Sequence, residues 1–378
     1  MLVHDTVCYG TLYPLYLIIC FPVHLTVAIQ DIFIQDKYGL KQHQNDALNR
    51  RQKALIRLIL SNLCGLLMSR EIPWLAVYGF GAHIKSTQKK LTILYKNSCE
   101  EYPIEEIHHL LVVGGHTLSS TTVSHLVGNG SYISFFEPDG TPVGIIRPYG
   151  CEGRDQEIQH LQEELPRQRY ATMIARATLR SRLMAIEKFQ RSCEADLLYE
   201  GELQILQNAL NELEYLVKLD EIRRLSNLTT DMYYEIFSRL IPEHFNFRRR
   251  SSRPLGDPIN AMLSFGYAML YGNCLVSVIG ARMNPDIGLL HDGPGALVQD
   301  LAGPFQAEMI DPFVRKIAQE SLNSVDFEQT PTRCMLSDML IKKLITVFKV
   351  SIDNQKIDCQ VNNFLRAINK IDDFTVMY

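Results

Sequence analysis

The stretch GLLHDGPGALVQDLAGPF, from Gly288 to Phe305, holds the side chains best suited to chemistry in this sequence. His291 stands nine residues ahead of Asp300, with two glycines and a proline between them. An imidazole and a carboxylate on one loop are the beginnings of a metal site. They also suit an ordinary loop leading into a helix. There, His291 would be satisfied by a backbone carbonyl, and Asp300 would cap the helix or pair with Arg282 or Arg253. The histidines at 108, 109, 116 and 125 show no ligand spacing.

A second kind of chemistry is written in arginines. Arg176 and Arg180 are one helical turn apart and share a face. The segment FRRRSSRP brings Arg248, Arg249, Arg250 and Arg253 together with no acid between them. Such guanidiniums repel one another unless they are solvated or face anions. Both groups therefore read either as solvated surface or as faces that track phosphates. With a formal net charge of −4, the chain has no global attraction for nucleic acid, so any DNA binding must come from these local faces. Nine cysteines, odd in number and without a C-x-x-C pair, point to reduced thiols in a cytoplasmic protein.

The elements that must position these groups change in texture along the chain. Thr11 to Ile29 is a nearly uncharged run, but Pro14, Pro22 and His24 argue against a membrane span. Residues 30–72 read as helical. From Trp74 to about Tyr149, short apolar runs alternate with turn residues. Asp139-Gly140 supplies the positive φ of a hairpin, and Leu118–Gly130 reads as a short capped helix. From Asp155 onward long helical patterns dominate. Ile222, Leu225, Met232, Ile236 and Leu240 form a core stripe. Asp257-Pro258 reads as a helix start opening a buried helix pair. The expected fold is α+β, with a mainly β, sandwich-like N-terminal domain followed by an all-α domain. The expected boundaries are an extension over 1–72, a β domain over 73–150, an all-α domain over 151–325 and a helical tail over 326–378.

The run Arg253, Asp257-Pro258-Ile259-Asn260-Ala261-Met262-Leu263-Ser264-Phe265-Gly266-Tyr267, then Asn284-Pro285-Asp286-Ile287-Gly288-Leu289-Leu290-His291, resembles the CRISPR-associated adaptation integrase family. Leu110 to Ser119 is similar to that family's strand and turn before a small helix. The resemblance covers roughly Trp74 to Lys316. It implies a metal-dependent DNA endonuclease and integrase of spacer acquisition, with Mg²⁺ or Mn²⁺ as cofactor. The β domains would dimerise, as a homodimer or a mixed dimer with an active paralogue. The further partners implied are double-stranded DNA and the small second-numbered Cas protein.

The resemblance also implies three metal ligands: a glutamate, a histidine, and an aspartate or glutamate. The glutamate's motif aligns with Ser226 to Tyr234, which puts Ser226 at the ligand position. The histidine is His291. The last carboxylate's motif aligns with Asp300 to Gln306, leaving Asp300 as the supporting acid and Gly303 at the ligand position. Residues three or four from Ser226 are Ile222, Arg223, Thr229 and Thr230, none acidic, while Glu221 and Asp231 are rotated away. The expectation is a DNA-binding member with an impaired metal site. Two alternatives stay open. One is an active enzyme with a relocated site drawing on His291, Asp300, Asp292 or Glu308. The other is a non-functional remnant.

Overall fold

The computed structural model describes residues 72–378, apart from 97, 151–153, 194–195, 252–255, 331–332 and 372. The segment Thr11–Ile29, the helical reading of 30–71 and Arg253 lie outside the described residues.

Strands β1 (Trp74–Ser86), β2 (Lys90–Leu94), β3 (Cys99–Pro103), β4 (His109–Leu118), β5 (Tyr132–Phe136) and β6 (Pro142–Ile146) form one sheet in the order β3-β2-β1-β4-β5-β6. The pairs β1–β4 and β4–β5 are parallel and the rest antiparallel. Helix α1 (Ser120–Gly128) makes the crossover between β4 and β5. Its first turn is capped by the Ser119 hydroxyl, which accepts from the Thr122 N–H.

The alternation of a strand's side chains explains the apolar run HLLVVGG. Leu110 and Val112 face one core with Val77, Ile93 and Leu126 of α1, whereas Leu111 and Val113 face the helical core. The expected β region thus has two layers, one a sheet and the other a helix.

The helical part runs α2 (Arg154–Glu163), α3 (Arg167–Arg191), α4 (Glu202–Glu212), α5 (Leu219–Ser238), α6 (Pro258–Gly280), α7 (Ala296–Ala302), α8 (Gln306–Met309) and α9 (Asp311–Glu320). A hairpin of β7 (Phe327–Thr330) and β8 (Arg333–Leu336) follows, then α10 (Asp338–Ser351) and α11 (Asn354–Ile368). The tail expected to be helical therefore begins with a hairpin.

The apolar stretch after Asp257 forms one 23-residue helix, α6, and not a pair. Asp257 caps it as expected, its carboxylate accepting from the Asn260 N–H at 2.7 Å. Length and hydropathy would let α6 cross a membrane, yet it is the axis of the helical core.

Two glycines dock the sheet on this axis. A Cβ on Gly140, in the β5–β6 turn, would lie 2.3 Å from the Gly272 carbonyl oxygen, and one on Gly272 would lie 1.9 Å from that of Asp139. Backbone meets backbone here, and only glycine allows it. The same seam is fastened by Asp358 of α11. Its carboxylate accepts from the Trp74 indole N–H at 2.9 Å and the Ser277 hydroxyl at 2.6 Å. None of the five described cysteines forms a disulfide, and Cys274, Cys334 and Cys359 are buried.

Candidate metal centre

Helix α5 carries Ser226. Asp220 and Glu221 in its first turn favour the helix dipole, and Ile222, Tyr233, Tyr234, Ile236 and Phe237 bury its inner face. Ser226 sits half-buried at mid-helix, and its carbonyl accepts from the hydroxyls of Thr229 (3.0 Å) and Thr230 (2.6 Å). Gly303 opens the single turn after α7, with φ −51° and ψ −45°. That backbone suits any L-residue. A Cβ placed there would meet only the Thr178 Oγ1, at 3.6 Å. Neither conformation nor space demands a glycine at 303.

His291 is held by the fully buried Asp300. Asp300 Oδ2 accepts from the N–H groups of Leu289 (2.5 Å) and Leu290 (2.9 Å). Its Oδ1 accepts from the His291 N–H (3.2 Å) and from the ring Nδ1 (2.6 Å). One carboxylate thus ties three successive amides and the imidazole, which leaves Nε2 facing outward from a partly exposed ring. Asp300 is neither a helix cap nor a partner of Arg282, and His291 is satisfied by this carboxylate, not by a backbone carbonyl. Gly288 makes the turn possible. A Cβ there would lie 2.5 Å from the His291 carbonyl and 3.1 Å from Asp300 Oδ2.

Two arginines bolt this loop to the helices. Arg167, at the start of α3, donates to the carbonyls of Leu289 (2.8 Å) and His291 (2.7 Å) and pairs with Asp292. Arg223 of α5 donates to the Leu290 carbonyl (2.6 Å) and pairs with Asp292 at 2.5 Å and Asp220 at 3.5 Å. The hydrogen bond from Arg167, with the charges of both arginines, holds the Asp292 carboxyl below its ordinary range. Glu308 pairs with Lys356 at 2.8 Å. Each acid named as a replacement ligand is therefore already engaged. Among the described residues, no group of three or more His, Cys, Asp or Glu side chains could hold a metal ion.

A second polar cluster, buried, adjoins the first. Asp311 accepts from the hydroxyls of Tyr233 (2.8 Å) and Tyr267 (2.5 Å), and the Tyr234 and Tyr267 hydroxyls share a hydrogen bond. Arg182 of α3 is buried. It donates to the Thr230 hydroxyl at 2.5 Å and lies over the Tyr233 and Tyr234 rings at 5.5 and 5.9 Å. Burial pushes the Asp311 carboxyl up to about 6, against the pull of the tyrosine hydrogen bonds and of Arg182 and Arg250. Tyr233 and Tyr234 belong to the segment Ser226 to Tyr234, whose sequence does not show that their hydroxyls meet Asp311. Arg182 lies outside the face shared by Arg176 and Arg180.

The arginines proposed for DNA are distributed unevenly. Arg180, Arg248 and Arg249 are exposed. Arg176 is half-buried and pairs with Glu214 at 3.0 Å. Arg250 turns inward, donating to Asn260 Oδ1 and the Ser264 hydroxyl, both at 2.7 Å, with its guanidinium over Tyr267. Arg250 is thus part of the frame of α6 in this structure.

The sequence pattern of the family described as CRISPR associated protein Cas1 matches residues 75–349, most of the chain. This chain belongs to the Cas1 family. A protein from Methanospirillum hungatei, named as a CRISPR-associated endonuclease Cas1, is 40% identical over 300 residues, spanning 79% of this chain and 99% of the relative. Two solved structures share the fold. A chain of a partial Cas6-RT-Cas1–Cas2 complex superposes with TM-score 0.69 at 18% identity, covering 80% of this chain and 98% of its own. A casposase bound to its integration product does so with TM-score 0.69 at 19% identity, covering 81% and 99%. The α+β order of sheet then helices is the order of a Cas1 fold, as the resemblance implied.

Proposed function

We propose that this Cas1 binds double-stranded DNA in CRISPR adaptation and has lost the metal site that would cut or join it. The observation that carries the reading is the donor set. Of the three ligand positions, His291 offers one nitrogen, Ser226 a neutral hydroxyl and Gly303 nothing. Hard ions such as Mg²⁺ and Mn²⁺ need several oxygen ligands, with carboxylates among them, so these residues do not fit one. Asp300 is enclosed by four N–H donors and Asp292 by two arginines, which disfavours a relocated site. The uninterrupted core and fully bonded loop are not what a decayed remnant would keep.

On this reading DNA lies along exposed arginines, of which Arg180, Arg248 and Arg249 are the clearest, with Arg176 and the undescribed Arg253 as further candidates. The β sheet serves as the dimer surface, with itself or with an active paralogue, and the small second Cas protein joins the assembly. The partnership finds support in solved structures of the same fold, one in a complex with Cas2 and one a Cas1 in a complex with DNA.

The test is nicking of branched and linear DNA with Mn²⁺, Mg²⁺ or EDTA, using the wild type, His291→Ala and the pair Ser226→Glu, Gly303→Asp. The wild type is expected to bind DNA with steep salt dependence and to cleave nothing, whereas the pair gains metal-dependent cleavage. Wild-type cleavage that disappears on chelation and in His291→Ala would sink the reading.

A further inference from the structure

Two surface helices leave large apolar side chains exposed. Helix α10 packs on α6 and buries Leu340, Leu344 and Phe348. Its opposite face carries Met339, Lys343, Thr346 and Val350 in one exposed stripe, with Lys342 and Lys349 along one side. Met339 is 79% exposed and Val350 85%. Helix α4 packs on α3 and α5 and buries Leu206 and Ala209, while its outer face carries Ile205, Asn208 and Glu212. Tyr199 precedes this helix, and Tyr215 and Val217 follow it, 79% and 75% exposed. The Tyr199 ring lies on the Arg239 guanidinium at 3.8 Å, and two hydrogen bonds from Arg239 to Glu202, at 2.6 and 2.7 Å, fix that guanidinium.

Single exposed apolar residues are ordinary, but these line two faces of opposite charge. From Asp196 to Val217 there are five acids and no lysine or arginine. Glu202 and Glu214 pair with Arg239 and Arg176, whereas Asp196, Glu200 and Glu212 are exposed and make no ion pair among the described residues. On α10, the exposed Lys342, Lys343 and Lys349 make none either, and the helix's one acid, Asp338, stands at its start. The faces also match in length. The eleven residues of α4 rise about 16 Å, and Met339 to Val350 rise about as far. Both faces are exposed in the same chain, so neither covers the other.

We infer that the α4 face of one copy docks on the α10 face of a second copy, head to tail. Tyr199 and Tyr215 supply large, rigid anchors, and Met339 and Val350 supply apolar surface for them to cover. The lysines of α10 set the partner and the orientation by facing Glu200 and Glu212. Such a contact uses a different surface on each side. It leaves every assembly with one free α4 face and one free α10 face unless a ring closes. It is separate from the sheet surface proposed for dimerisation and does not depend on DNA binding.

The experiment is sedimentation velocity of the whole chain over a range of concentrations, at low and at high salt. The wild type is compared with a base-reversed variant, Lys342→Glu, Lys343→Glu, Lys349→Glu, and an acid-reversed variant, Glu200→Lys, Glu212→Lys. Thermal melts confirm that each is folded. The wild type is expected to grow in mass with concentration, and less so in high salt. Each variant alone is expected to associate about tenfold more weakly, because like charges then meet. An equimolar mixture of the two is expected to recover wild-type association within about threefold. In the mixture, the native acids of one variant meet the native lysines of the other, and the two reversed faces also attract. Weakening of only one variant, or of both without rescue on mixing, overturns the proposal, as does a wild-type mass that ignores concentration and salt. Anisotropy of a labelled duplex adds a further check. If the base-reversed variant loses DNA affinity and keeps its self-association, α10 is a DNA surface and the proposal falls.

Discussion

Two polar clusters lie along helix α5, barely two turns apart, and they have fared differently. At Ser226 the helix is half-exposed, and the groups there are small and neutral. At Tyr233 and Tyr234 it meets Asp311, Tyr267 and Arg182 in the core, where every hydroxyl and both carboxylate oxygens are engaged. The difference is one of solvent. A half-exposed carboxylate can be deleted and water fills its role. A buried one cannot be deleted without stranding its partners. On the proposed reading, the metal-ligand positions of this Cas1 could change while the frame beside them stayed.

Breaking the second cluster should have the largest effect. Asp311→Ala takes away the acceptor of the Tyr233 and Tyr267 hydroxyls and the buried acid that the Arg182 charge acts on. A loss of about 3–5 kcal/mol is expected. Urea denaturation would measure it, and a loss below about 1 kcal/mol would show the network to be idle.

A smaller effect sharpens the same contrast. The folded-state value of Asp311 is raised, so the folded protein binds its proton more tightly than the unfolded chain. Its contribution to stability is present at low pH and is lost as pH rises from the ordinary carboxylate value to about 6. The stability of the wild type relative to Asp311→Asn should fall across that window and level off above it. His109, buried and pushed down to about 4 by desolvation, has the opposite slope over pH 4 to 6.5, and it cancels in this difference. A flat difference would refute the assignment.

The smallest effect belongs to the first cluster. Ser226→Glu with Gly303→Asp should change stability by less than about 1 kcal/mol, or roughly 3 °C in melting temperature, because the backbone and the space at 303 already admit a side chain. A drop comparable to that of Asp311→Ala would mean the two clusters are one.

Much of this was legible in local chemistry. Asp257 as a cap, Asp139-Gly140 as a hairpin turn and the stripe on α5 are each fixed by neighbours in sequence. The identities of Ser226 and Gly303, neither of them an acid, were legible too. Contacts between distant segments were not legible. The meeting of Gly140 with Gly272 looks like nothing in either stretch. Arg182 reads as a surface residue until Thr230, Tyr233 and Tyr234 are folded over it. The service of Arg167 and Arg223 to the His291 loop depends on carbonyls, which have no sequence signature. Asp300 was legible as an acid of the motif, but its four N–H donors appear only in the folded turn.

The indole of Trp74 is bonded to Asp358, 284 positions later. As the chain leaves the ribosome, its first described strand can pair with its neighbours long before that carboxylate exists. The sheet can form early, while the joint between sheet and helices is fastened only once residue 358 has been made. Trp74 is the chain's single tryptophan. Its fluorescence is thus a built-in clock for the closing of that joint.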